Sequence, residues 1–277
     1  MSSVYSVAGA QLGYSDSGTG LPIVFLHPTP LDRAFWSPLT QELSGIRSIV
    51  PDLRGHGASE LGHGLPIGLF SRVPDAPALT MAQLAGDIIA LLDHLQIPAA
   101  VFAGCSIGGY VLLELWRRIP ERMQGLAFLC SKPQPDAESN LVKRAENIAR
   151  VRSEGTSGFF DSNAQSLVSA NTRAQHPDLV AKLRSQMTLA LDAVVAVQTG
   201  LAVRPDSVPT VATIHVPVLA IAGQEDAAVT PADMEAFRSA PGGCDYHVIP
   251  NAGHFAAYEH PRAVAALMAP WLQQFQV

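Results

Sequence analysis

The sequence predicts an α/β protein built on a mostly parallel sheet with helices on both faces. Short apolar runs bounded by Gly, Pro or Asp recur at 23–26, 48–51, 99–103, 126–130, 218–222 and 246–249. They have the length and composition of strands buried on both faces. Segments with helical spacing stand between them at 36–43, 81–95, 107–118, 231–238 and 261–274. In the second of these, Leu84, Ile88, Leu91, Leu92 and Leu95 fall on one stripe. Strand and helix therefore alternate, as they do when crossover helices wrap a parallel sheet.

The alternation stops once. Between Lys132 and Ile214, helical patterns at 141–152 and 178–197 follow one another with no convincing strand, and the flanks KPQPD and RPDSVPT are Pro-rich turns. The expectation is a core of residues 1–131 and 215–277 carrying an inserted helical cap at 132–214. Glu60 to Ala78 is rich in Gly and Pro and is expected to form one long loop.

With 277 residues, 48% hydrophobic and 15% charged, the chain has the composition of a globular protein with a well-filled interior. A net charge of -6 and no run of Lys and Arg argue against nucleic acid as a partner. Three cysteines, at 105, 130 and 244, form neither a disulfide framework nor a metal-like spacing. No window reaches the ~18 uncharged apolar residues of a membrane span, and the N-terminus carries no positive charge ahead of an apolar stretch. The protein is expected to be cytoplasmic, without metal, cofactor or membrane contact.

The stretch Ala103-Gly104-Cys105-Ser106-Ile107-Gly108-Gly109 follows an apolar strand and opens a helix. In that context Gly-x-Ser-x-Gly has a mechanical reading: the serine sits on a sharp strand-to-helix turn, and Gly104 and Gly108 let strand and helix approach. Its alternative is a Gly-rich turn in which Ser106 only caps the helix. A nucleophilic serine also requires a base and an acid on neighbouring loops. Asp226 follows the strand at 217–222, where the carboxyl ends of strands carry ligand sites. Glu225 and Asp136 are the other candidates for the acid. His254, in Asn251-Ala252-Gly253-His254-Phe255, lies at the tip of a turn directly before the final helix and is the candidate base. His247 within a strand and His260 before Pro261 have structural readings.

Acyl transfer also needs two N–H groups aimed at the developing oxyanion, one from the residue after the nucleophile, here Ile107. The loop after the strand at 23–26 reads His27-Pro28-Thr29-Pro30, where Thr29 carries the only N–H among residues 28–30. His56 and His63 sit in two Gly-His-Gly stretches but lack Asp, Glu or Cys partners at ligand spacing.

In that order LHPTPLDRAFW, PDLRGHGAS, AGCSIGGY, GQEDAAVTP and NAGHF resemble the five motifs of the α/β-hydrolase superfamily. Within it, the chain resembles the lid-bearing branch of carboxylesterases, enol-lactonases, acyl-homoserine lactonases and cofactor-free haloperoxidases. The resemblance implies an α/β-hydrolase fold of about eight strands, a triad of Ser106, Asp226 and His254, an oxyanion hole at Thr29 and Ile107, and a lid at 132–214. It also implies that His56 shapes the loop beside the nucleophile. The departures are Pro28 where the family usually has Gly, and the elongated 60–78 loop. The implied function is hydrolysis of a small-molecule carboxylic ester or lactone through an acyl-enzyme. The alternatives are perhydrolysis on the same triad or a catalytically idle binding protein. Phe159, Phe160, Leu167, Val168 and Met187 in the lid point either to a small or medium apolar acyl group or to packing among the lid's own helices.

Overall fold

The computed structural model describes residues 2–276. Eight strands form one sheet: β1 (Ser2–Val7), β2 (Ala10–Gly18), β3 (Leu21–Leu26), β4 (Ile46–Pro51), β5 (Ala100–Cys105), β6 (Met123–Leu129), β7 (Val218–Gly223) and β8 (Cys244–Ile249). Their order across the sheet is β1-β2-β4-β3-β5-β6-β7-β8. The pairs β1–β2 and β2–β4 are antiparallel and the remainder parallel. Every residue of β5 and β7 is buried, as central parallel strands covered on both faces must be.

Helices cover the sheet: α1 (Ser37–Thr40), α2 (Met81–His94) and α3 (Ile107–Arg118) precede β6. Between β6 and β7 run α4 (Glu138–Glu154), α5 (Ser157–Ser166), α6 (Ala170–Gln175), α7 (Pro177–Ser185), α8 (Leu191–Ala202) and α9 (Val208–Val211). After β7 come α10 (Pro231–Met234), α11 (Ala256–Glu259) and α12 (Pro261–Gln273). Among the described residues, no helix is long and apolar enough to cross a membrane.

Three sequence expectations need correction. The helix expected at 178–197 is two helices, because Met187 and Leu189 are both buried while Thr188 between them is exposed. That period-two burial demands an extended segment. The helix expected at 36–43 is a 3₁₀ turn, Arg33–Trp36, running into the single turn of α1. Phe35 and Trp36 are adjacent and both fully buried, which a one-sided surface helix does not allow. His254 is followed first by α11, and only then by the final helix. The hairpin β1–β2, absent from the expected strands, turns at Ala8 and Gly9, both at positive φ, the backbone of a two-residue hairpin connection.

The 60–78 loop is anchored against α4 and α8. Phe70 and Ala76 are buried with Ile148 of α4 and Val195 of α8. Arg72 pairs with Glu138, and Arg152 with Asp75. Leu79 then donates to Ala196 O at 2.9 Å. A Cβ on Gly200 would lie 1.8 Å from Leu79 O, so only glycine admits that approach.

A buried ion pair joins the hairpin edge to the rest of the sheet. Arg54, fully buried, donates to both carboxylate oxygens of Asp87 at 2.8 and 2.6 Å. Its remaining N–H groups reach Ala8 O, Leu61 O and Val7 O, and Tyr5 Oη donates to Asp87 O. Removing one member strands the other charge in the interior. Asp87→Ala should therefore lower the unfolding free energy by about 3 kcal/mol or more; a chemical denaturation midpoint equal to wild type would contradict this.

Candidate active site

Ser106 occupies the turn between β5 and α3 with φ 52 and ψ −116, a backbone conformation that is costly for a residue with a side chain. Two close approaches hold it there. A Cβ on Gly104 would lie 2.5 Å from the Gly108 carbonyl carbon, and one on Gly108 would lie 2.2 Å from Leu26 O of β3. Gly108 is thus needed for packing against the neighbouring strand, and Gly104 for packing against the helix itself. Ser106 N–H donates to Leu129 O, and Ser131 Oγ donates to Ser106 O at 2.9 Å, tying the turn to the end of β6. The serine side chain makes no capping hydrogen bond to α3, which removes the reading of Ser106 as a mere cap.

Asp226 lies just beyond β7 and is buried. Its Oδ1 accepts from the N–H groups of Ala228 and Val229 at 2.8 and 2.9 Å, leaving Oδ2 facing His254 Nδ1 at 2.7 Å. A carboxylate only accepts, so Nδ1 carries the proton and Nε2 is left with a free lone pair. The rival carboxylates are engaged elsewhere. Glu225 accepts from Ala170 N–H at the start of α6. Asp136 is paired with both Arg144 and Arg204. Burial opposes ionisation of Asp136, yet Arg144 and Arg204 hold its carboxyl below the ordinary carboxylate range.

The loop bearing His254 is fastened from several sides. Its backbone N–H donates to Leu167 O at 2.9 Å, and the buried thiols of Cys105 and Cys130 donate to His254 O and Gly253 O. Glu259 accepts from Gly253 N–H through one oxygen, and from Ser169 N–H and Thr172 Oγ1 through the other. The sequence singled out none of Glu259, Cys105 or Cys130 for this work. Burial pushes both thiols well above the ordinary range, and all three cysteines are free.

Ser106 and His254 both line one cavity of about 560 Å³. Among the described residues no hydrogen bond joins the Ser106 hydroxyl to the imidazole, and such contacts commonly tighten only with substrate in place. Thr29 and Ile107 lie outside the lining of that cavity. Ile107 is the first residue of α3, so its N–H has no acceptor within the helix. Thr29 precedes Pro30 through a cis peptide bond, and its hydroxyl lies 3.0 Å from His56 Nε2.

The cavity wall is polar. Lys132, Asn140, Lys143, Asn147 and Ser166 contribute to it, and of the apolar lid residues considered above only Leu167 does. Phe159, Phe160, Val168 and Met187 are buried in the main core. Those four side chains are spent in the core and do not build an apolar acyl pocket.

A model of the alpha/beta hydrolase family matches residues 23–267, and the chain belongs to that family. It is similar to a thermophilic esterase from Thermogutta terrifontis, at 33% identity and TM-score 0.87, over 97% of this chain and 95% of that one. An enol-lactonase from Burkholderia xenovorans is 26% identical with TM-score 0.85, over 98% and 100% of the two chains. The 3-oxoadipate enol-lactonase 2 of Acinetobacter baylyi is 29% identical over 217 residues, 76% of this chain and 73% of that protein.

Beneath the 27–30 loop lie two fully buried imidazoles with ring centroids 5.1 Å apart. His27 Nε2 accepts from Leu53 N–H at 2.9 Å, so its Nδ1 donates to Pro28 O. His56 Nδ1 faces Arg54 O at 3.0 Å and donates to it, so its Nε2 accepts the Thr29 hydroxyl. His63 packs instead against Gly9 in the hairpin turn. Burial pulls the His27 pKa from 6.5 to about 4; burial, reinforced by His27, pulls that of His56 to about 3. Both imidazoles are therefore neutral in the native protein and protonated in the unfolded chain between those values and about 6.5. The unfolded state binds more protons across that window, so stability rises with pH through it and is lost as pH falls. The Tm should drop between pH 6.5 and 4.5, and His56→Gln should flatten that slope. Parallel wild-type and variant slopes would refute the assignment.

Proposed function

We propose that the protein is a serine hydrolase that cleaves a carboxylic ester or lactone through an acyl-enzyme. The observation that carries this is the convergence on one cavity of Ser106, on a strained strand-to-helix turn, and His254, whose ring Asp226 holds from behind the wall. Ser106 Oγ attacks the carbonyl carbon while His254 Nε2 takes its proton. The tetrahedral oxyanion is held by the N–H groups of Ile107 and Thr29. Collapse of the intermediate expels the alcohol, which receives the proton from His254. In a lactone the alcohol stays attached to the acyl chain. Water, deprotonated by His254, then attacks the acyl carbonyl and restores Ser106.

The remaining parts serve this chemistry. Asp226 fixes the tautomer and orientation of His254 and stabilises the imidazolium formed in each step. The neutral His56 holds the Thr29 hydroxyl and with it the loop that aims the Thr29 N–H. Residues 132–214 act as the lid, since α4 and α5 supply much of the cavity wall. Free buried thiols fit a reducing, cytoplasmic setting.

The test is hydrolysis of p-nitrophenyl acetate and butyrate by wild type, Ser106→Ala and Asp226→Asn. Ser106→Ala should lose at least about a thousandfold in kcat. Asp226→Asn, which forces the wrong imidazole tautomer, should lose on the order of ten thousandfold. A fluorophosphonate should label wild type once and leave Ser106→Ala unlabelled. Equal slow rates from all three proteins would reject the acyl-enzyme reading.

A further inference from the structure

The wall of the cavity carries more positive than negative charge, in a chain whose net charge is -6. Lys132, Lys143 and Arg144 line it alongside Asp136 and Asp233. Arg204, directly behind, shares Asp136 with Arg144. One carboxylate thus answers two guanidinium groups. The second carboxylate is also largely committed: Asp233 Oδ2 accepts from both the N–H and the hydroxyl of Thr230 at 3.0 Å. Lys132 Nζ stands 3.6 Å from that same oxygen, though its side chain is only 12% exposed. Lys143 forms no ion pair among the described residues.

Lys132, Lys143 and Arg144 therefore face two carboxylates around the same space that Ser106 and His254 enter, and Arg204 draws further on one of the two. Asn140, Asn147 and Ser166 add hydrogen-bonding groups to the wall. Lys132, whose carboxylate partner comes no closer than 3.6 Å and whose side chain is largely buried, is costly unless an anion completes it, whereas Lys143 is exposed at the same cavity. Lining residues of this kind fix the orientation of a ligand through a few polar contacts.

We propose that the substrate is an ester or lactone bearing a second, ionised carboxylate, which Lys143 and Lys132 hold while the scissile carbonyl sits at Ser106. This rests on the serine-hydrolase reading above and names the substrate class it acts on. The carboxylate completes the cluster electrostatically and places the acyl chain along the polar wall. The apolar lid residues take no part, because they are spent inside the core.

The experiment compares kcat/KM for monoethyl adipate and ethyl hexanoate, which differ by a carboxylate in place of the terminal methyl. Wild type should favour the anionic ester by about tenfold or more, with the preference shrinking in 0.5 M NaCl as ions screen the attraction. Lys143→Gln should cut the ratio of the two kcat/KM values several-fold, and Lys143→Arg should retain most of it. Equal or better use of ethyl hexanoate by wild type, or a ratio unmoved in Lys143→Gln, would overturn the proposal while the Ser106-dependent turnover of either ester leaves the hydrolase reading intact. Should neither ester be turned over, the hydrolase reading fails instead, and calorimetric binding of the two esters to Ser106→Ala still decides the charge preference. Tighter binding of monoethyl adipate supports it, and equal binding rejects it.

Discussion

The close approach of α3 to the central sheet is the constraint on which the site depends. At Gly108 the helix backbone comes so near to β3 that a methyl group would lie 2.2 Å from Leu26 O. The chain must reverse from β5 into α3 within one residue, and that residue, Ser106, takes a positive φ for it. The conformation is unfavourable in itself. It persists because neighbours on both sides bind its peptide groups, Leu129 O accepting from its N–H and Ser131 Oγ donating to its carbonyl. The same tight turn leaves the hydroxyl free of capping duty and the first N–H of α3 without a helical acceptor. The proposed nucleophile and half of the proposed oxyanion site thus arise from one packing requirement.

The proposed base is positioned by a different logic. His254 belongs to no regular element, so its place is set by the hydrogen bonds around it. Asp226 holds the ring. Cys105 and Cys130 reach its loop from the strand ends below, and Leu167 and Glu259 bind it to the helices between β6 and β7. Glu259 joins Gly253 to Ser169 and Thr172 with one carboxylate. The helical insertion and the His254 loop are therefore joined, and movement of α6 would be felt at the imidazole. The 60–78 loop adds a clasp at the far side through Phe70, Arg72 and Asp75.

Much of this was legible in the sequence, for identifiable reasons. The central strands and α2 and α3 were visible because their burial is one-dimensional: continuous apolar runs for strands covered on both faces, a single stripe for helices packed on one. Ser106, Asp226 and His254 were visible because each stands at the carboxyl end of a recognisable strand. The hairpin β1–β2 was missed because its strands mix Ser, Gly and Asp with the apolar residues, and an edge of the sheet needs less apolar surface. The break at 186–190 was missed because an apolar spacing compatible with a helix is equally compatible with an extended segment that buries Met187 and Leu189. Glu259 was illegible for a stronger reason. Its partners Ser169 and Thr172 lie some ninety residues away, and no local pattern distinguishes a carboxylate that bridges two loops from one in solvent.

The apolar residues of the lid show where sequence reasoning about specificity goes astray. Hydrophobic side chains in an inserted segment can line a pocket or stitch the insertion to its host, and composition is silent between these. Here the insertion runs from the 17-residue α4 to the four-residue α9. Phe159, Phe160, Val168 and Met187 are buried in the same core as the sheet. What remains for the cavity is the outward face of α4 and the turns beside it, where Asn140, Lys143, Arg144 and Asn147 stand at successive three- and four-residue spacings on one helix face. An insertion that buries its apolar side chains in the core presents polar ones to the cavity. In the proposed reading, recognition then passes from the shape of an acyl chain to the sign of its charge.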